Sequence, residues 1–177
     1  MLASFLRRIA GAVLLDANTY EEIEADRTAT PQAIAIVILS SLAAGIGLNG
    51  SRGAAAALTF FAATSALALT TWVIFAVITF HVGARALPSP ETRADLGELL
   101  RTLGFAAAPG LLQVFALFSP VPVLVSVAAF AWTMAASVVA VRQALDLRTT
   151  RRALGVCLVA WGLPLAIAAT LATVVSG

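Results

Sequence analysis

The sequence predicts an all-α, polytopic membrane bundle. Five transmembrane helices follow a short amphipathic N-terminal helix, with the N-terminus inside and the C-terminus outside. Three observations predict it. Of 177 residues, 60% are apolar and only 11% are charged, about half the charge of an ordinary soluble domain. With a mean hydropathy of +0.97, such a chain cannot clothe a water-facing surface, which excludes a soluble enzyme or a disordered regulator. The charges are also absent in long runs: 24 residues at Thr28–Ser51, 32 at Gly53–Ala84, 40 at Thr102–Val141 and 25 at Ala153–Gly177. Finally, threading those runs through a bilayer leaves nearly every ion on one face.

The elements follow in order. Leu2, Phe5, Leu6, Ile9 and Val13 form a helical stripe interrupted by Arg7 and Arg8, the pattern of a helix lying on the inner leaflet. The start lacks the long apolar core and small-residue cleavage site of a secretory leader. An acidic segment follows, Asp16 to Asp26, completing a cytoplasmic region over residues 1–29. It reads as a solvated helix face, or as an arm that repulsion holds off an anionic leaflet for a partner.

Thr30 as N-cap and Pro31 in the first turn open the first span, about 31–48. Gly45, Gly47 and Gly50, with Asn49 in a turn, end it. A helix needs roughly 20 apolar residues to cross a bilayer, so the 32-residue run holds one tilted span, about 56–82. Ser89-Pro90-Glu91 repeats the cap-and-proline grammar. Beyond it Leu96, Leu99, Leu100 and Leu103 share a face while Glu98 and Arg101 are expected to stay wet.

The 40-residue run is twice the length of one span. Phe118-Ser119-Pro120-Val121-Pro122 divides it into a third span, about 102–118 with Pro109 inside, and a fourth, about 122–141. The last run gives a fifth, about 154–175, within a single domain over 1–177.

Charge sidedness tests that count. Five spans place 10 of the 11 arginines and all nine acids on the N-terminal side, leaving only Arg52 opposite. The positive-inside rule makes that side cytoplasmic. Reading 102–141 as one span would send Arg142, Arg148, Arg151 and Arg152 across and destroy the asymmetry.

Candidate chemistry is sparse. His81 is the titratable group nearest a span interior; at the inner end of the second span it reads as a snorkelling or carbonyl-capping side chain. With one Cys, one His and no Lys, the sequence offers no zinc set, no nucleophile–base pair and no phosphate-loop lysine. Glu21-Glu22 and Arg27 share letters with the EExxxR element of CAAX-type proteases. The arginine is one residue too far along and the partner motifs are absent. No cofactor and no nucleic-acid partner is expected.

Two groups remain as lipid or partner contacts. One is Arg142, Arg148, Arg151 and Arg152, facing an anionic inner leaflet at about 1 kcal/mol per arginine; its simpler reading is topology alone. The other is the acidic set Glu21, Glu22, Glu24 and Asp26. Inside the bilayer, Ser126, Thr133 and Ser137 lie with Ala129, Ala136 and Ala140 on one face of the fourth span. Such faces pack helices together or line a solute path.

These landmarks in order resemble one family. Leu14-Leu15-Asp16, Tyr20 to Asp26 and Ala29-Thr30-Pro31-Gln32-Ala33 look like the amino end of prokaryotic Yip-domain (Ypt/Rab-interacting-protein) membrane proteins. The Ser40–Gly47 stretch is similar, as are Arg101-Thr102-Leu103-Gly104-Phe105 with Ala108-Pro109-Gly110, and Val141 to Asp146 with Arg152-Ala153-Leu154. The resemblance spans essentially the whole chain and makes Gly104, Phe105, Pro109 and Gly110 a structural motif. It implies five spans with a cytoplasmic N-terminus. Eukaryotic relatives are linked to prenylated Rab GTPases, but their long soluble N-terminal region and its Asp-Leu-Tyr-Gly-Pro type motif are missing here, so a GTPase partner is not carried over.

The expectation is a non-enzymatic multi-pass scaffold that organises membranes through its cytoplasmic loops, partnered by lipids, by a second copy or by another membrane protein. The alternative is a passive transporter, channel or lipid scramblase built from the polar faces of the second to fourth spans. Arginine-only cations and abundant alanine hint at a GC-rich prokaryote and its cytoplasmic membrane.

Overall fold

Long uncharged runs have no choice but to satisfy their backbone internally, and they do so as helices. The computed structural model describes residues 2–49, 54–86 and 94–176, with side-chain surroundings for 2–47, 61–85 and 94–163. Gly50, Arg52 and the Ser89-Pro90-Glu91 start signal fall outside that description, whereas Asn49, expected in a turn, is still the last residue of a helix. Among the described residues there is no strand. Helix α1 covers Leu2–Val13 and α2 Ala17–Ala25, and a 3-10 turn at Arg27–Ala29 leads into α3, Thr30–Asn49. Helix α4 runs Ala54–Phe80 and ends in a π-helical turn, His81–Ala86. Helix α5 spans Leu96–Ala106 and passes into a 3-10 helix at Ala108–Phe118; α6 is Pro122–Ala144 and α7 Thr150–Ser176.

Four segments among the described residues are long and apolar enough to cross a membrane: Arg27–Gly47, Phe61–Arg85, Leu96–Phe118 and Pro122–Ala144. Helix α7 adds 27 residues of helix. The outward surface of these helices is greasy: Leu67, Val73, Phe115, Phe118, Val123, Leu124, Val127, Phe130 and Leu158 are all exposed. A water-soluble protein does not tolerate so large an apolar face.

Three local expectations need correction. The first span starts differently: Thr30 is already helical at φ −57°, and Asp26 caps the preceding turn by accepting from the Thr28 amide at 2.9 Å. The Asp26 carboxylate outcompetes the Thr30 hydroxyl, which donates back to the Arg27 carbonyl.

The third span is the second case. Expected as one helix from about 102, it begins at Leu96. Asp95 accepts from Gly97 N–H, and Glu98 accepts from the Asp95 amide, forming a capping box. It then changes character. Ala107 ends the α-helix, and eleven residues continue as 3-10 helix, far beyond the usual three or four. Pro109 supplies no amide to an α-helical ladder. The Ala107 carbonyl accepts from the Gly110 amide at 2.9 Å, a three-residue step, and from the Ser40 hydroxyl of α3 at 2.8 Å. At about 2.0 Å per residue the 3-10 segment covers about 22 Å, so a short sequence still reaches across.

Third, the earlier start draws Arg101 into the span. Expected to stay wet, its side chain is buried at 5% exposure.

The core lies where α2, α3, α5 and α6 converge. Tyr20, Ile23, Ile36, Leu99, Phe105, Val141 and Leu145 are fully buried there. Close approach of backbones holds it together. A Cβ on Gly104 of α5 would stand 2.6 Å from the Cβ of Ala33 in α3 and 3.1 Å from its Cα, so only glycine fits. Phe75 stacks on Trp161 with ring centroids 5.7 Å apart, joining α4 to α7.

Candidate functional site

The site is built on a helical hairpin. Helix α1 stops with Leu15 in the left-handed region at φ 60°. There the Leu15 and Asp16 amides donate to Ala12 and Gly11 carbonyls at 3.2 and 2.9 Å, a closed helix end. Asp16 then caps α2, accepting from the Asn18 amide and from the Thr19 hydroxyl at 2.7 Å. The reversal lays α1 against α2 and brings the paired arginines onto the acids. Arg7 makes a two-pronged bond to Glu22 at 2.7 and 2.8 Å. Arg8, only 6% exposed, donates to Glu22 at 3.0 Å, to Asp26 at 2.6 Å and to the Gln32 amide oxygen of α3 at 3.2 Å. Bonds from Thr28 and then Arg8 hold the Asp26 carboxyl down at about 2, and Arg7 leads the groups that lower Glu22.

Further contacts fasten the hairpin to the bundle. Tyr20 and Ile23 are buried in the core, worth roughly 1.5–3 kcal/mol each. The Arg101 guanidinium of α5 donates twice to the Glu24 carbonyl, at 2.6 and 3.2 Å. Gln143 of α6 donates to Glu21 at 2.8 Å. The indole N–H of Trp132, also on α6, donates to the Val13 carbonyl at 2.8 Å, where α1 ends. Outward, Leu2, Leu6 and Leu14 stay exposed at 70%, 56% and 75%, while Phe5 meets Phe105 edge-on with centroids 6.3 Å apart.

Between α2, α5, α6 and the α6–α7 turn opens a cleft of about 590 Å³. Its charged lining is Glu21, Glu24, Glu98, Arg142, Asp146 and Arg148. Asp146 reaches it from a left-handed position, φ 50°, which aspartate tolerates better than most residues. Glu24 is half-buried. Burial first, then the neighbouring charges of Glu98, Asp146 and Glu21, push its carboxyl up to about 7 against the pull of Arg101. The cleft therefore combines fixed ions of both signs with one carboxyl poised to exchange a proton near neutrality.

The Yip1 domain family matches residues 12–172. This chain belongs to the Yip1 domain family. The match covers nearly everything from the end of α1 to the end of α7 and agrees with the resemblance carried by the sequence motifs. No match was found among curated proteins or among solved structures. With its apolar helices, this Yip1 domain is a multi-pass integral membrane protein.

Within the Yip1 domain the expected site residues divide. Glu21, Glu24, Arg142 and Arg148 meet at the cleft, whereas Arg151 and Arg152 are exposed on the first turn of α7 and do not line it. The four arginines are thus two pairs rather than one patch. The acidic segment is neither a free arm nor a plainly solvated face: Glu22 and Asp26 are tied to α1 and Glu24 is half-buried.

Gly104, Phe105, Pro109 and Gly110 are buried where α5 turns into 3-10 helix beside α3. His81 starts the π-helical turn, its Nδ1 2.8 Å from the Val77 carbonyl one turn back, as a carbonyl-capping histidine would sit. Thr133 and Ser137 donate to the carbonyls of Ala129 and Thr133 in their own helix, while the buried Ser126 hydroxyl has no partner among the described residues. Cys157 is buried with its sulfur 3.9 Å from the Ser137 carbonyl. Among the described residues no group of three or more His, Cys, Asp or Glu is placed to hold a metal ion.

Sequence reasoning missed Arg8, Arg101, Trp132 and Gln143 as organising residues. Trp132 carried a signal, because an indole in a span favours a depth where its N–H meets a polar partner. Arg101 carried one too: an arginine four residues before a buried Phe on an amphipathic helix shares its face.

Proposed function

We propose that this Yip1-family protein crosses the membrane five times, N-terminus in the cytoplasm and C-terminus outside. In this reading it serves as a non-enzymatic scaffold that organises membrane through its cytoplasmic face. The observation that carries the reading is where charge and apolar surface gather. Ions from α2, α5, α6 and the α6–α7 turn line one cleft, beside a docked hairpin that keeps Leu2, Leu6 and Leu14 exposed. That combination suits a contact surface at the membrane boundary, with the leucines in the headgroup region and Arg151 and Arg152 toward anionic lipid. The extra helix α7, 27 residues long, supplies the fifth crossing, and the arginine asymmetry supports the orientation. The arginine-only, alanine-rich composition suits the cytoplasmic membrane of a prokaryote.

Cross-linking in native membranes from positions lining the cleft tests this. A reproducible partner or a second copy of the chain is expected; a random set of neighbours would contradict it. A second reading, a passive transporter or scramblase, draws support from the buried Trp72 Nε1, Thr79 Oγ1 and Ser126 Oγ, which have no hydrogen-bond partner among the described residues. Liposomes holding the purified protein separate the two: movement of labelled lipid or small solutes would favour the second.

A further inference from the structure

Two opposite forces act on α2 within a few ångströms. Its backbone is held: the Arg101 guanidinium, itself buried, donates to the Glu24 carbonyl at 2.6 and 3.2 Å. Its Glu24 side chain points the other way in energy, into the cleft that it shares with Glu21 on α2, Glu98 on α5 and Asp146 in the α6–α7 turn. The Glu98 carboxylate is fixed there because it accepts from the Asp95 amide at 2.8 Å. Asp146 is fixed by its turn, whose Asp146 and Leu147 amides donate to Gln143 and Arg142 carbonyls at 2.8 and 2.9 Å.

The remaining charged groups are committed elsewhere or stand at the rim. On α1, Arg7 and Arg8 are spent on Glu22 and Asp26. Arg142 on α6 and Arg148 in the turn, both exposed, line the same cleft. Among the described residues the salt bridges are those of Arg7 and Arg8 and none reaches the Glu24 carboxyl, while Arg101 donates to the Glu24 backbone.

We propose that α2 is a proton-sensitive latch: Glu24 is seated neutral among Glu98, Asp146 and Glu21, and its ionisation loosens α2 from α5 and α6 and widens the cleft. The direction follows from linkage. Free of its seat, Glu24 ionises near its ordinary 4.5, and seated it ionises at about 7. Docking therefore takes up a proton in that window. The seat is strongest on the acid side, weakens as pH rises through the window, and loses nothing further above it. Because α2 carries α1 through the Arg8 network, the exposed leucines of the hairpin move with it.

Amide exchange of the full chain in lipid nanodiscs tests the latch, with protection of α2 corrected for the intrinsic pH dependence of exchange. Because Glu24 is half exposed, solvent screening reduces the effect, and α2 should lose on the order of tenfold in protection between about pH 5 and about pH 8. Glu24→Gln, neutral at every pH and nearly isosteric, should hold α2 at the acid-side level throughout. Glu98→Gln keeps the capping box and leaves Glu24 in place, so it should move the window to lower pH. A flat wild-type profile overturns the latch. So does an unchanged fall in Glu24→Gln, which would assign the transition to another group, and so does an unmoved window in Glu98→Gln.

Discussion

Arg101 is the residue whose removal should be felt furthest from its own helix. It is 5% exposed and sends two hydrogen bonds to the Glu24 carbonyl, 77 residues earlier in the chain. Arg101→Ala deletes both bonds and most of a long buried side chain, and strands a carbonyl at the negative end of α2. A hydrogen bond from a charged donor is worth about 1.5–3 kcal/mol, and an unpaired buried acceptor costs about 1–3 kcal/mol. The two figures overlap rather than add, so the docking of α2 should weaken by about 2–4 kcal/mol. That corresponds to roughly 30- to 1000-fold faster opening-limited exchange of α2 amides.

Arg101→Met should cost less, because it restores most of the volume and relieves the desolvated charge. Arg101→Lys should fall between, since a point charge cannot reproduce the fork. Amide exchange read peptide by peptide in nanodiscs is the assay, with α4 as the internal reference. Protection of α2 unchanged within about 0.5 kcal/mol in Arg101→Ala would refute the reasoning, and so would a larger loss in Arg101→Met.

Other expectations rest on separate contacts. Gly104→Ala should destabilise the α3–α5 junction by about 1–3 kcal/mol, because the new Cβ meets the Cβ and backbone of Ala33 at 2.6 and 3.1 Å. Gly110→Ala should cost less, its Cβ meeting the Ser40 Cβ at 3.1 Å, and thermal unfolding in detergent should rank the two. The hairpin should also resist moderate acid. Asp26 is depressed to about 2 from an ordinary 3.8, so its contribution is complete above about pH 4 and fades only as pH falls toward 2. Exchange of α1 amides should show no acid loosening above about pH 4 in wild type, and Asp26→Asn should open α1 at neutral pH. Trp132→Phe, which strands the Val13 carbonyl, should loosen the α1–α2 turn by about 0.5–1.5 kcal/mol without disturbing α6.

How much of this was legible depended on the length scale of the signal. The uncharged runs placed α3, α4, α6 and α7 to within a few residues, because exclusion of charge from hydrocarbon acts on every residue of a span. Phe118 to Pro122 was readable as a break for the same reason as any proline pair. Pro109 announced an interruption, but not eleven residues of 3-10 helix. Nor did the sequence announce that Ser40, 67 residues away, would reach the Ala107 carbonyl at its start.

Of the site, the acids and cleft arginines were found as charges, yet their roles were not. A sequence shows that Arg8 is charged; it does not show that Glu22, Asp26 and Gln32 wait for it on two other helices. Arg101 was misplaced on the wet face because its partner is a main-chain oxygen, and every residue carries one of those. Thr30 was chosen as a cap over Asp26 because a proline followed it, and the stronger carboxylate acceptor lay just beyond the template.

Five crossings would leave the two termini on opposite sides of the bilayer. Cysteines placed singly in a Cys157→Ser background, at residue 3 and at residue 177, can be labelled with a membrane-impermeant maleimide in sealed, right-side-out vesicles. The C-terminal position should react at once and the N-terminal one only after the vesicles are opened. Equal reactivity of both ends before opening, or of neither, would contradict five crossings.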